Sequence, residues 1–162
     1  MATPQLVFPS LEEVEEQERR LVLPSASPAD LYALGRLAAD MAVAEGLAVV
    51  VQLRFGERLL FMAAAPGSGP INDVWASRKA RTVHLFEQSS MRVQLSHKRD
   101  GAGFEAKHHL PPDQYAIHGG CFPLRVAGTG YVGSMAVSGL PQTEDHAFIV
   151  RVLGAYLASL PS

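Results

Sequence analysis

The segment His118-Gly119-Gly120-Cys121 places an imidazole, two glycines and the chain's one thiol within four residues. An imidazole titrates near neutral pH and is the commonest metal ligand, so His118 has the chemistry of an acid–base group or of an axial ligand to iron. Paired glycines accept positive φ and leave amide groups bare, a geometry that cradles an anion or a ligand carboxylate. Together His118 and Cys121 also have the residue types of a nucleophile–base pair. The same four residues describe, equally, a turn between strands whose histidine bonds a carbonyl and whose cysteine is buried and inert.

A second group is basic. Arg78, Lys79 and Arg81 crowd one stretch, and residues 78–107 hold seven Lys/Arg against three acids. Guanidinium forks match carboxylates, so this stretch suits a carboxylated or phosphorylated ligand, or an ion-paired face against the glutamate-rich segment near residue 15. His84, His97, His108 and His109 follow no metal-binding spacing and read as surface histidines. Asp145-His146 would need Ser134 or Ser138 as a nucleophile, and no G-x-S-x-G elbow is present. The glycine-rich segments 66–70 and 128–133 match neither common nucleotide cradle. Trp75, at helical spacing, reads as core or interface before stacking platform.

The elements that must position these residues follow from punctuation and periodicity. Ser10 caps a helix with an apolar stripe at Leu11, Val14 and Leu21. Ser27, Pro28 and Asp30 open a second helix, which Gly46 stops. Leu47–Leu53 and Arg58–Ala65 read as a hairpin. Asn72 or Asp73 caps a third helix carrying Trp75, Ala76, Ala80, Val83 and Phe86. Residues 91–95 continue as helix or begin a strand, and 97–112 read as a loop with a short strand at Phe104. Tyr115–His118 reads as a further strand, and Cys121–Val126 with Tyr131–Val137 as a second hairpin. Thr143 caps the last helix. Two hairpins separated by a helix imply an antiparallel sheet with helices packed on it.

Composition narrows the function classes. The chain has 162 residues, 48% hydrophobic, with a net charge of −2. That length fits one domain over residues 1–162, with residues 1–26 as a helical extension. The charge balance speaks against nucleic-acid binding. The longest apolar run, Leu59–Pro66, falls far short of the ~20 residues of a membrane span. One cysteine and no basic, apolar leader lead us to expect a cytoplasmic protein.

Four separated motifs then carry a resemblance: Asn72-x-x-Trp75-x-x-Arg78-Lys79; Phe86 with Ser89-Ser90; His118-Gly119-Gly120-x-Phe122-Pro123; and Gly133-Ser134-x-x-Val137-Ser138-Gly139-Leu140-Pro141-Gln142-x-x-Asp145-His146. Over residues 45–157 the chain resembles the "heme-degrading domain" branch of the GlcG/HbpS-like superfamily. The resemblance implies an α/β, profilin-like fold, with a five-stranded antiparallel sheet and helices on both faces, assembled as a homo-oligomer. It implies haem, or another carboxylated tetrapyrrole, as the leading ligand. The expected binding residues are Trp75, Arg78, Lys79, His118, Gly119, Gly120, Phe122, Ser134 and His146. In that reading Arg78 and Lys79 hold carboxylates, His118 is the axial ligand, and Trp75 and Phe122 wall the pocket. Two alternatives stand beside it: an enzyme on a small anionic metabolite, with His118 as acid–base and Cys121 or Ser134 assisting, and an oligomeric scaffold without catalysis.

Overall fold

The computed structural model describes residues 5–101 and 103–162. Ser10 and Glu13 bond each other's backbone amides in a capping box that starts α1 (Leu11–Arg20). Ser27 and Asp30 do the same for α2 (Pro28–Ala44), with proline in its first turn. The first hairpin, β1 (Val50–Phe55) and β2 (Arg58–Ala64), leads into α3 (Pro70–Phe86). After α4 (Ser90–Asp100) and the short α5 (Phe104–His108) comes the second hairpin, β3 (Cys121–Val126) and β4 (Gly130–Ser138). The last helix is α6 (Gln142–Ser159).

The four strands form one antiparallel sheet in the order β2-β1-β4-β3. Strand periodicity sends alternate side chains to opposite faces. Val51, Leu53, Phe122, Leu124, Met135 and Val137 point to one face, where Leu31, Leu34 and Ala38 of α2 and Phe148, Ile149, Val152 and Leu153 of α6 complete the main core. On the other face the cover is α3, whose Ala76, Ala80 and Val83 pack on Cys121 and Ala136. Small residues at that contact bring α3 close to the strands, and polar side chains fill the margins.

Helices cover both faces as expected, but among the described residues the sheet has four strands where five were expected. Tyr115–His118 is not a strand: Pro111 and Pro112 start a turn, and the Ala116 amide donates to Arg78 O at 3.2 Å in α3 instead of a neighbouring strand. The outer edge of β3 is sealed by the chain after α1. The Leu23 amide donates to Arg125 O at 2.8 Å, and Ala127 donates back to Leu23 O at 2.9 Å, a single parallel bridge to Val126. Phe104 opens a helical turn, not a strand, and packs on Phe86, His97 and His108. The third helix begins earlier than Asn72: proline occupies its first turn, and Asn72 Oδ1 reaches back to accept from the Gly69 amide at 2.9 Å. Likewise Pro141, not Thr143, precedes the first turn of α6. The acidic α1 is also less solvated than its composition suggests. Glu18 is buried, 3.2 Å from Arg125 and 3.5 Å from Arg92.

Candidate functional site

The start of α3, the turn at residues 118–120 and the start of α6 converge on an open cleft of about 330 Å³. Trp75, Lys79, His118, Gly119, Leu140 and Asp145 line it. Lys79 forms its floor. The ammonium donates to Val137 O at 2.6 Å and Gly119 O at 3.2 Å, and lies 3.4 Å from Asp145 Oδ2. Three donors thus meet three oxygens at a side chain that is 2% exposed. Burial pulls the Lys79 pKa down and the Asp145 charge pulls it back up. The Asp145 carboxyl is pushed up to about 6 by burial, against the opposing Lys79 charge and the Leu140 amide that donates to it at 3.0 Å.

This floor explains the glycine pair. A Cβ on Gly120, whose φ is +119°, would collide with Lys79 Nζ and lie 2.6 Å from Val137 O and 2.8 Å from Asp145 Cβ. At Gly119 it would meet Met91 and Gln142 O. Gly120 therefore makes room for the buried ion pair, Gly119 makes room for Met91 and the Gln142 carbonyl, and the two do not present a bare anion cradle. The Gly119 amide is already donated to Gln142 Oε1 at 3.0 Å.

His118 stands at the mouth of the cleft. Its ring packs edge-on against Trp75, centroids 4.8 Å apart, and remains exposed. Partial burial lowers its pKa, with the Lys79 and Arg78 charges acting the same way, so the neutral imidazole prevails at pH 7. Beyond His118 and Gln142 the cleft continues into a shallower groove of about 610 Å³ that includes His97, Lys98, Phe104 and Ile117.

The remaining expected site residues lie elsewhere. Arg78 turns away from the cleft floor. Its guanidinium covers the Trp75 ring at 4.2 Å and donates to Pro112 O at 2.5 Å, pinning the loop before His118. Lys79 has no free donor for a ligand carboxylate, because the Asp145 and backbone oxygens take all three. Phe122 does not wall the cleft: it is fully buried in the main core. His146 is buried on that side as well, its Nε2 2.7 Å from Gln17 Oε1, and desolvation lowers its pKa to about 4. Ser134 and Cys121 are buried under α3, outside the cleft lining. Burial pushes the Cys121 thiol up to about 11, which keeps it an unreactive thiol. His97 and His108 have ring nitrogens 2.9 Å apart, yet among the described residues no group of three or more His, Cys, Asp or Glu side chains could hold a metal ion. Asp145, weighed in the sequence only as a partner of His146 and absent from the expected binding residues, lies in the cleft paired with Lys79.

A four-stranded antiparallel sheet with helices on both faces, and a cleft where one helix start meets the end of the sheet, defines a mixed α/β domain with one candidate site. The family model described as "Haem degrading protein HbpS-like" matches residues 27–153, and the chain belongs to that family. A UPF0303 protein of Streptomyces avermitilis is 45% identical over 149 residues, covering 92% of this chain and 91% of the relative. A UPF0303 protein of Burkholderia thailandensis is 44% identical over 147 residues, covering 91% and 89%. Among solved structures, the Ybr137w protein superposes with a TM-score of 0.84 at 27% identity, covering 94% of this chain and 90% of its own. The PduOC:heme complex gives 0.68 at 21% identity (82% and 94% covered) and HbpS 0.60 at 19% (96% and 94%), and these two speak to the fold.

Proposed function

We propose that this protein binds a small carboxylated ligand, haem being the leading candidate, along the cleft and groove that meet at His118, and that it works in the cytoplasm as a homo-oligomer. The observation that carries this reading is the state of His118: exposed, neutral, held edge-on by Trp75, and without a hydrogen-bond partner among the described residues. A neutral imidazole with free ring nitrogens is the form that ligates iron. The two depressions fall in the ~300–1,000 Å³ range of sites for drug-sized ligands, which supports a ligand of that size beside His118. The family description and the haem bound in a fold relative support the same choice.

The residues present divide the work. His118 would hold the iron from one side, Trp75 and Leu140 would exclude water from the ring, and Lys98 at the groove margin would pair with a carboxylate. When bound, haem would supply a redox-active iron. Lys79 and Asp145 fix the floor and the turn that carries His118. The test is a hemin titration followed by absorbance, with light scattering on the same sample. A saturable Soret band that His118→Ala removes or shifts, at unchanged circular dichroism and mass, supports the reading. Diffuse adsorption, or an identical band in the variant, overturns it.

A second reading rests on Asp145. Its carboxyl, pushed up to about 6, lines the same cleft as His118, and two titratable groups with displaced pKa values in one cleft are the marks of an acid–base site. His118 would then move a proton on a small anionic metabolite, and turnover would vanish in His118→Ala with the oligomer intact. Cys121 and Ser134, buried outside the cleft, have no part in this version.

A further inference from the structure

On the far flank of α3 the sheet face carries a second, smaller cavity of about 180 Å³. It lies between α3 and the β1–β2 turn, lined by Arg54, Gly56, Glu57, Ser77, Arg81 and His84. Arg54 enters from β1, on the face that alternation also assigns to Val50 and Gln52, and is half-buried. One arm of its guanidinium, Nη2, donates to Ser77 Oγ at 3.3 Å. The other arm, Nη1, is closed off from solvent and donates to nothing among the described residues. Buried charged donors are almost always satisfied, because an unmade bond there forfeits the full desolvation penalty.

The surroundings sharpen the anomaly. None of the ion pairs formed among the described residues engages Arg54 or Arg81. Arg81 donates only to Gln114 O at 3.2 Å. Burial and the neighbouring Arg81 charge both work against the charge on Arg54, and the one carboxylate among the lining residues, Glu57 at the rim, pairs with neither arginine. His84 is oriented by Tyr131, whose hydroxyl lies 3.2 Å from Nδ1, leaving Nε2 near the exposed rim carboxylate Glu57 at 3.9 Å. Ser77 Oγ accepts from Arg54, so its own hydrogen is free to donate.

We infer that this cavity is a binding site for a small oxyanion of phosphate or short-carboxylate size, held by the Arg54 guanidinium, Arg81 and the Ser77 hydroxyl. Guanidinium forks and a hydroxyl donor are the usual recognition set for such oxygens. The volume sets the class: it lies below the ~300–1,000 Å³ of sites for drug-sized ligands, so a macrocycle is excluded and a free anion is not. The site is separate from the His118 cleft, with which it shares no lining residue.

The test is isothermal titration of the whole protein with inorganic phosphate in one arm and succinate in the other, in chloride-matched buffer. Saturable binding of either anion in the wild type, weakened about 10- to 100-fold in Arg54→Met, is the expected result. Arg81→Gln, an exposed substitution that leaves the fold alone, should weaken the same anion by a smaller factor. Which arm responds tells a tetrahedral phosphate from a planar carboxylate. No saturable heat in either arm overturns the inference, and so does binding that survives unchanged in both variants.

Discussion

Helix α3 separates two cations that solve the same problem in opposite ways. Lys79, on the cleft side, is 2% exposed and has an oxygen for each of its three hydrogens, one of them a carboxylate. Arg54, on the other side, is half-buried, and among the described residues its sealed arm bonds nothing and no acid lies within pairing distance. A buried charge costs far more than packing returns unless it is paired and bonded. The satisfied cation therefore belongs to the architecture. Its unsatisfied counterpart marks the place where something from outside the chain completes the bonding.

The largest expected effect tests the first half of that contrast. Lys79→Met leaves Asp145 buried beside an apolar chain, and breaking one side of a buried pair costs about 3–5 kcal/mol at pH 7. Chemical denaturation read by fluorescence measures it. With the ammonium gone, the Asp145 carboxyl moves higher still, and the native state takes up a proton that the unfolded state does not. Stability of the variant therefore recovers as pH falls toward 5, and the gap to the wild type narrows. Equal cost at pH 7 and pH 5 would mean that packing, not charge, is what Lys79 supplies.

A third buried titratable group sharpens the comparison by taking neither route. His146 has one nitrogen, Nδ1, without a partner among the described residues, and it persists by staying neutral. Its pKa falls from 6.5 to about 4, so between those values the unfolded chain binds a proton that the native one refuses. That stability is whole above pH 6.5 and drains away as pH falls through 4, by about 3 kcal/mol for the full shift. Asp145, raised to about 6, acts in the opposite sense over the same range, so the wild-type curve alone is a difference of two slopes. Subtracting His146→Gln isolates the histidine. The wild-type advantage at pH 7 should shrink by about 2 kcal/mol at pH 4.5, in thermal melts corrected to a common temperature. A constant gap would return His146 to an ordinary solvated imidazole.

What the sequence disclosed tracks the range of the interactions involved. Caps at Ser10 and Ser27 and the stop at Gly46 act over a few residues, and the elements they bound were legible. Tyr115–His118 looked like a strand because β-forming residues look alike whether or not a neighbour has a free edge. Leu23 had already sealed that edge from 103 residues away. The Lys79–Asp145 pair spans 66 positions, and no local rule joins a lysine in one helix to an aspartate at the start of another. Gly119 and Gly120 were read as residues that accept positive φ, which Gly120 does, and as a bare cradle, which they are not: the Gly119 amide is taken by Gln142 and the Lys79 ammonium lies against Gly120. Arg54 drew no notice, although a signal was present. In Val50-Val51-Gln52-Leu53-Arg54 the alternate positions 50, 52 and 54 grow more polar while 51 and 53 stay apolar, the trace of a strand with one dry face and one that opens toward a cavity.

The smallest effect is the most discriminating, because it carries the opposite sign to the largest. Arg54→Met makes the same change as Lys79→Met, a cation replaced by an unbranched apolar chain, on the same face of the sheet. Here no carboxylate is stranded, and the only bond lost is the long one to Ser77. The unmade bond at Nη1 and the repulsion from Arg81 disappear with it. Replacing an unsatisfied buried charge by an apolar group of similar length is neutral to stabilising, so the expected change lies between about zero and +1 kcal/mol in anion-free buffer. Adding phosphate or succinate, whichever binds, should raise the wild-type melting temperature and leave the variant's where it was, because a ligand stabilises only the state that binds it. A variant several kcal/mol less stable in anion-free buffer would show that Arg54 is as structural as Lys79, and the contrast between the two flanks of α3 would collapse.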